Sequence, residues 1–226
     1  MNLKKAAADH ALDYVENGMT IGLGSGSTMT FFLHGLSERL KSGDLSTVVG
    51  VPTSEGILRA ALDLEIPVTT LSDHPTLDLA VDGADEVDPS YNLIKGLGRA
   101  LLREKIVAIH AARFVVIVDE SKLVSRLGTR GPLPVEIVPF GTSAHVLWLG
   151  SLGCRAELWH DGDQAPAETD NGNHLVRCWF ADGISDPYGL ARSLADRPGV
   201  LDHGLFLGMA DRVVVGREED VQVLER

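Results

Sequence analysis

Apolar residues recur along this chain in two rhythms, one helical and one extended, and the two alternate. Residues 3–17 keep a helical period and run into Gly18, a natural helix stop. Thr20–Gly24 is a short extended run, 28–41 is helical again, and Val48–Val51 is extended. The alternation continues with a helix over 55–64, strands at Val68–Leu71 and Leu77–Val81, and a long helix over 98–112. Phe114–Val118 is an unbroken apolar run, the pattern of a strand covered on both faces. Strands alternating with helices predict an α/β fold: a Rossmann-like, mainly parallel sheet with helices on both faces.

After Pro132 the texture changes. Strand-like 135–138, 154–159 and 174–181 and helix-like 142–151 and 187–196 surround an Asp/Gly/Pro-rich loop at 161–172. This reads as a smaller α+β domain, 131–203, inserted into a main domain made of 1–130 and 204–226. The tail runs 205–207, 213–215 and 221–224 read as strands returning to the first sheet.

Composition narrows the function. Apolar residues make up 44% and charged residues 23%, as in ordinary globular proteins. No apolar run is long enough to span a bilayer, and no secretory core follows the basic start, so a cytoplasmic protein without membrane contact is expected. Cys154 and Cys178 are not at a metal-ligand spacing and read as free thiols of a reducing compartment. The net charge of −12 argues against nucleic acid as a partner. Its distribution is uneven: between Lys95 and Arg130, eight Lys/Arg face three acids, leaving a +5 segment in a chain whose remainder is −17. Such an island can hold a small anion at short range.

The turn Gly22-Leu23-Gly24-Ser25-Gly26-Ser27-Thr28 joins a strand to a helix. Its backbone N–H groups, its hydroxyls and the helix dipole suit an anion. A nucleotide-binding P-loop would need a lysine where Ser27 stands. A dinucleotide fingerprint would need a further glycine, and an acid where the second strand runs into Val51-Pro52-Thr53-Ser54. Neither ATP nor NAD is therefore expected, and a phosphate ester fits better.

Next comes Val81-Asp82-Gly83-Ala84-Asp85-Glu86-Val87-Asp88, just past an apolar strand. In open α/β sheets ligands bind beyond the carboxyl ends of strands, which puts Asp82 and Asp85 beside a substrate. Neighbouring carboxylates suit proton traffic around hydroxyls. The residue order of a calcium loop is missing, so no metal is expected. Lys95 follows on the glycine-flanked loop Gly96-Leu97-Gly98, and Glu104 stands in line with Ala100 and Ala108, a stripe that packs closely and desolvates it. A desolvated carboxylate is a stronger general base.

The run 81–108 resembles the ribose-5-phosphate isomerase A family, whose pattern reads V-D-G-A-D-E, L-I-K-G-G-G, L-x-R-E-K-I. Further collinear blocks agree: Gly22–Thr28, Thr53-Ser54, Asp119–Lys122, Pro132–Glu136, Thr169–Asn173 and Asp202–Phe206. The resemblance implies interconversion of ribose 5-phosphate and ribulose 5-phosphate through an enediolate, in the non-oxidative pentose phosphate pathway. It implies no cofactor, no metal, and assembly as a homodimer or homotetramer. It makes Glu104 the base, Asp82 and Asp85 the residues of ring opening and hydroxyl proton traffic, and Lys95 and Lys122 substrate lysines. It makes Ser25, Gly26, Ser27 and Thr28, the stretch from Asp82 through Gly83 and Ala84 to Asp85, and Gly96 to Gly98 a substrate-binding set. It lets Lys4 reach the phosphate from the N-terminal helix. The competing readings are an amino-sugar phosphate isomerase or deaminase and a sugar-phosphate sensor of a transcriptional regulator. For the sensor, the segment before Gly22 is too short to hold a helix-turn-helix.

One departure stands out: Leu97 and Arg99 occupy positions that are usually glycine in the family. If position 97 needs a positive φ, the leucine strains the loop that aims Lys95.

Overall fold

A computed structural model describes residues 2–162 and 165–225; Asp163 and Gln164 of the expected 161–172 loop lie outside the described residues. The chain forms two compact units: residues 1–84, 103–122 and 209–226, and residues 85–102 and 123–208.

The first unit holds the α/β sheet. Its parallel strands are β1 (Thr20–Leu23), β2 (Val49–Pro52), β3 (Leu79–Asp82), β6 (Phe114–Asp119) and β14 (Arg212–Gly216), with β15 (Val221–Glu225) antiparallel at one edge. The order is β15-β14-β6-β3-β1-β2. Ile21, Leu23, Leu79, Val81, Val115, Ile117 and Val214 point to one face. There they meet α1 (Leu3–Ala11), α2 (Ser27–Ser42) and α3 (Glu55–Asp63). Ala7, Ala8 and Ala11 let α1 lie close against this core, which they enter fully buried. The opposite face is covered by α4 (Leu101–Ile109): a Cβ on Gly22 would stand 2.4 Å from Val107 Cγ1 and 3.1 Å from Ala80 Cβ. Helices on both faces of a mainly parallel sheet are what the alternating pattern predicts.

Two features fix where a ligand can bind. From β1 the chain crosses to β2 on one side, then back past β1 to β3 on the other, so the strand order reverses between β1 and β3. A crevice opens at the carboxyl ends of strands at such a point. In addition, α4 runs antiparallel to the strands: Ala111, just past its end, bridges Leu77, two residues before β3. Its first turn therefore lies at the carboxyl end of the sheet.

Several elements differ from the periodic reading. The first helix ends at Ala11 and tightens into a 3₁₀ turn over Leu12–Tyr14, short of Gly18. Of the expected strand 68–71 only the bridge of Val68 to Gly50 forms. The helix expected from 98 starts at Leu101, because Gly96 at φ 105° and Arg99 at φ 67° lie outside helical backbone.

Among the described residues the second unit carries three small sheets. The largest has the order β12-β7-β11-β8, made of β7 (Leu133–Ile137), β8 (Arg155–Leu158), β11 (His174–Trp179) and β12 (Val200–His203), all antiparallel. Leu133, Val135, Ile137, Val176 and Cys178 pack with Leu149 of α5 (Thr142–Gly150) and Leu194 of α6 (Pro187–Ala195). A hairpin pairs β9 (His160–Asp161) with β10 (Ala165–Pro166). A three-stranded sheet joins β4 (Glu86–Val87), β5 (Leu93–Ile94) and β13 (Leu205–Phe206). The run at 205–207 thus pairs with β5, whereas 213–215 and 221–224 do join the first sheet. Both cysteines are free thiols. The hydrogen bond between them lowers the proton affinity of half-buried Cys154 and raises that of buried Cys178.

Candidate active site

In the first unit the glycine turn and Asp82 form one structure. The Gly24 N–H donates to Val81 O (2.9 Å), and the Ser25 N–H to Asp82 Oδ1 (3.0 Å), which also accepts the Gly83 N–H (2.7 Å). A Cβ on Gly24 would lie 2.1 Å from Asp82 Cγ, so only glycine lets the carboxylate come this close to the turn. Asp82 is 3% exposed. Ala84, half-buried, ends this stretch where the chain leaves the first unit. The Ser25 hydroxyl is engaged by Thr53 Oγ1 and Ser54 Oγ, both at 2.9 Å; Thr53 donates on to Leu23 O, and Ser54 caps α3 by accepting the Ile57 N–H. Thr53 and Ser54 belong to the structural support of the turn, a role the spacing of motifs does not reveal.

The helix α2 begins with Gly26 as its N-cap, at φ 112° and without a side-chain cap. Its first N–H groups are thus left for another acceptor, at the positive end of a 16-residue helix. Ser27 is exposed and Thr28 is buried beneath it. Lys4 Nζ donates to Ser27 Oγ at 2.8 Å, so the N-terminal helix brings a cation to this turn. Lys122 closes the short 3₁₀ turn that follows β6, in which Asp119 Oδ1 accepts the Ser121 N–H (3.0 Å).

Glu104 lies in the first turn of α4 and is 3% exposed; Ala100 and Ala108, on its stripe, are buried as well. One turn on, Val107 covers Gly22 and Ala80, the face from which Asp82 projects. Lys4, the 25–28 turn, Asp82, Glu104 and Lys122 therefore all rise at the carboxyl end of one sheet. An aliphatic cavity of about 250 Å³ nearby, lined by Val51, Pro52, Leu58, Ile106 and Val107, offers little to a polyhydroxylated anion. Its arginine, Arg103, is paired with Glu55 at 2.9 Å.

In the second unit the other candidates share a loop. Lys95 is 2% exposed; its N–H donates to Gly204 O (2.9 Å), and its Nζ lies 5.5 Å from the centre of the Phe206 ring. Asp85 Oδ2 accepts the Leu97 N–H at 3.0 Å, so this carboxylate holds the loop behind Lys95. Leu97 is not in the left-handed region; in this loop the non-glycine residue with a positive φ is Arg99. The strain anticipated at 97 is thus absent, and Leu97 lies half-buried, with Cδ1 3.7 Å from where a Cβ of Gly131 would stand.

Two further blocks turn out to be scaffolding. Glu86, 2% exposed, accepts the N–H groups of Gly128 (2.5 Å), Arg130 (2.8 Å) and Gly131 (2.9 Å), three charge-assisted bonds that fix that loop. Glu136 Oε1 accepts from Thr169 Oγ1 (2.9 Å), Asn171 Nδ2 (3.1 Å) and Asn173 Nδ2 (2.9 Å). The blocks Pro132–Glu136 and Thr169–Asn173 therefore serve one another.

Residues 49–220 match the model of the family described as Ribose 5-phosphate isomerase A (phosphoriboisomerase A). The chain is 54% identical over 222 residues to ribose-5-phosphate isomerase A of Roseiflexus castenholzii, covering 98% of this chain and 94% of that relative. It is 44% identical to the protein of the same name from Pyrococcus horikoshii, covering 99% and 98%. A solved D-ribose-5-phosphate isomerase in complex with phospho-erythronic acid superposes with a TM-score of 0.96 at 44% identity, over all of both chains. The ribose 5-phosphate isomerase of Plasmodium falciparum superposes with 0.96 at 38% identity, over 99% and 98%. The chain belongs to the ribose 5-phosphate isomerase A family, enzymes that interconvert ribose 5-phosphate and ribulose 5-phosphate.

Proposed function

We propose that Glu104 is the base of this isomerisation. It takes the proton from C2 of the open-chain aldose, and the C–H electron pair becomes the C1–C2 double bond of an enediolate. The carbonyl oxygen at C1 gains the charge and takes the proton of the C2 hydroxyl, the C2 oxygen becomes the new carbonyl, and Glu104 returns its proton to C1. A carbon acid next to a carbonyl needs a base and a partner for the oxygen anion together. Lys95 supplies that partner, and Asp82 and Asp85 serve ring opening and hydroxyl protons. The observation that carries the reading is the placement of buried Glu104 and buried Asp82 on the same face and at the same end of the sheet. The related structure holds phospho-erythronic acid, a phosphorylated sugar acid whose carboxylate has the planar, anionic shape of an enediolate.

The phosphate sits at the open N-terminus of α2, with Ser27, Thr28, Lys4 and Lys122 around it. No metal or nucleotide takes part. No described helix is long and apolar enough to cross a membrane, and the cytoplasm is the proposed site of action. Phe140 and Leu147, 90% and 79% exposed, are apolar surface of the kind a second copy covers, which supports a homodimer or homotetramer.

The test is a comparison of ribose 5-phosphate with free ribose, in the wild type and in Lys4→Ala. Free ribose should be a very poor substrate, and Lys4→Ala should raise KM for the phosphate ester with little change in kcat. Similar kcat/KM values for the two sugars would end the phosphate-anchor reading.

A further inference from the structure

Arg99 keeps a left-handed backbone of the kind glycine adopts freely, at φ 67°. A side chain rarely adopts that conformation unless its surroundings hold it. Here they do. The Arg99 N–H closes the turn onto Gly96 O at 2.9 Å. Its guanidinium grips Asp161 with both terminal nitrogens, Nη1 to Oδ2 at 2.8 Å and Nη2 to Oδ1. The same group lies 5.0 Å from the centre of the Trp159 ring. Trp159 is itself fixed by backbone bonds, its N–H to Leu175 O and its carbonyl to the Ala167 N–H, both 2.8 Å. The Arg177 guanidinium lies 5.3 Å from the same ring. The contact with Arg99 holds the Asp161 carboxyl below the usual carboxylate range. Four residues before this grip stands Lys95, on the same short loop.

We infer that Arg99 is a positioning residue for the reaction: Asp161 and Trp159 latch its guanidinium, and the latch keeps the 95–99 loop in the shape that aims Lys95. A glycine would hold that shape by its own freedom; here an ion pair and the Trp159 ring hold it. A bidentate arginine–carboxylate fork is directional enough for the task, which a lysine would not be. The inference rests on Lys95 serving the substrate.

The experiment compares four variants: Lys95→Ala, Asp161→Ala, Arg99→Gly, and Arg99→Gly with Asp161→Ala. Releasing the latch in Asp161→Ala leaves arginine in the left-handed region unaided. The expected fall in kcat/KM is about three- to five-fold, the scale of an exposed ion pair written as a ratio. Arg99→Gly should lose less than Asp161→Ala. In the Arg99→Gly background the Asp161 change should cost nothing more, so adding the glycine rescues Asp161→Ala. An Asp161→Ala protein as active as wild type overturns the latch, as does an Asp161 effect of equal size with and without Arg99. Near-normal kcat in Lys95→Ala would instead overturn the role given to Lys95, which separates the two failures.

Discussion

Asp82 is a carboxylate carried to the end of β3 and folded back under a glycine turn, and its neighbours show how narrowly it is held. Two backbone N–H groups converge on one of its oxygens, and Gly24 leaves no room for a Cβ. Gly24→Ala must push the turn or the carboxylate aside, an overpacking that costs about 1–3 kcal/mol. Thermal melts should show the loss, and kcat should fall with it. An alanine variant with wild-type kcat would mean that the position of Asp82 does not matter to the chemistry. At Leu97 the ordinary backbone reverses what the sequence suggests. Glycine there relieves no strain, and it removes a half-buried side chain and loosens the unfolded chain. Leu97→Gly should therefore lower stability by about 1 kcal/mol and leave kcat no higher. A clear rise in melting temperature would contradict this.

At the scale of elements, α2 joins fold to binding. Gly26 gives it no side-chain cap, and Lys4 waits beside its first residue. Ser27→Asp places a negative charge at this N-terminus, which favours the helix by about 0.3–1 kcal/mol while repelling a phosphate. Melting temperature should hold or rise as KM climbs, an opposition that a merely structural turn would not show. Unchanged KM would place the phosphate elsewhere. The strands and helices of the first unit were legible because each presents a continuous apolar face to one core. Strands of two residues, such as β4 and β5, carry no readable period, and although 205–207 read as a strand its partner β5 did not show; these strands form because Glu86, Asp85 and Gly204 tie their ends. The start of α4 was misread for a related reason, since a left-handed Arg99 leaves no trace in hydropathy. Residue type and place along the chain singled out Asp82, Asp85, Lys95 and Glu104 as candidates, while the roles given to them, and Lys4 and Lys122 altogether, came from the family resemblance. Their supports, Thr53, Ser54, Glu86 and the Arg99–Trp159–Asp161 group, were not, because each acts through a contact far away in sequence.

For the whole molecule, the reversal of strand order between β1 and β3 explains why so many candidate groups gather at one end of the sheet. The chemistry derived from them uses only side chains and backbone. Activity should accordingly survive exhaustive chelation and dialysis, and recovery of lost activity on adding a divalent metal would overturn that expectation. The central claim is that one buried carboxylate, Glu104, moves the proton. Its most direct test is Glu104→Gln assayed in D₂O, following deuterium entry into ribose 5-phosphate and its product by NMR, beside binding of phospho-erythronic acid by calorimetry. The amide keeps the shape and loses the basicity, and a general base supplies about 10²–10⁴-fold in rate. The account predicts that isomerisation and deuterium entry both fall by about two orders of magnitude or more while the analogue still binds. Deuterium entry at close to the wild-type rate in Glu104→Gln would contradict it.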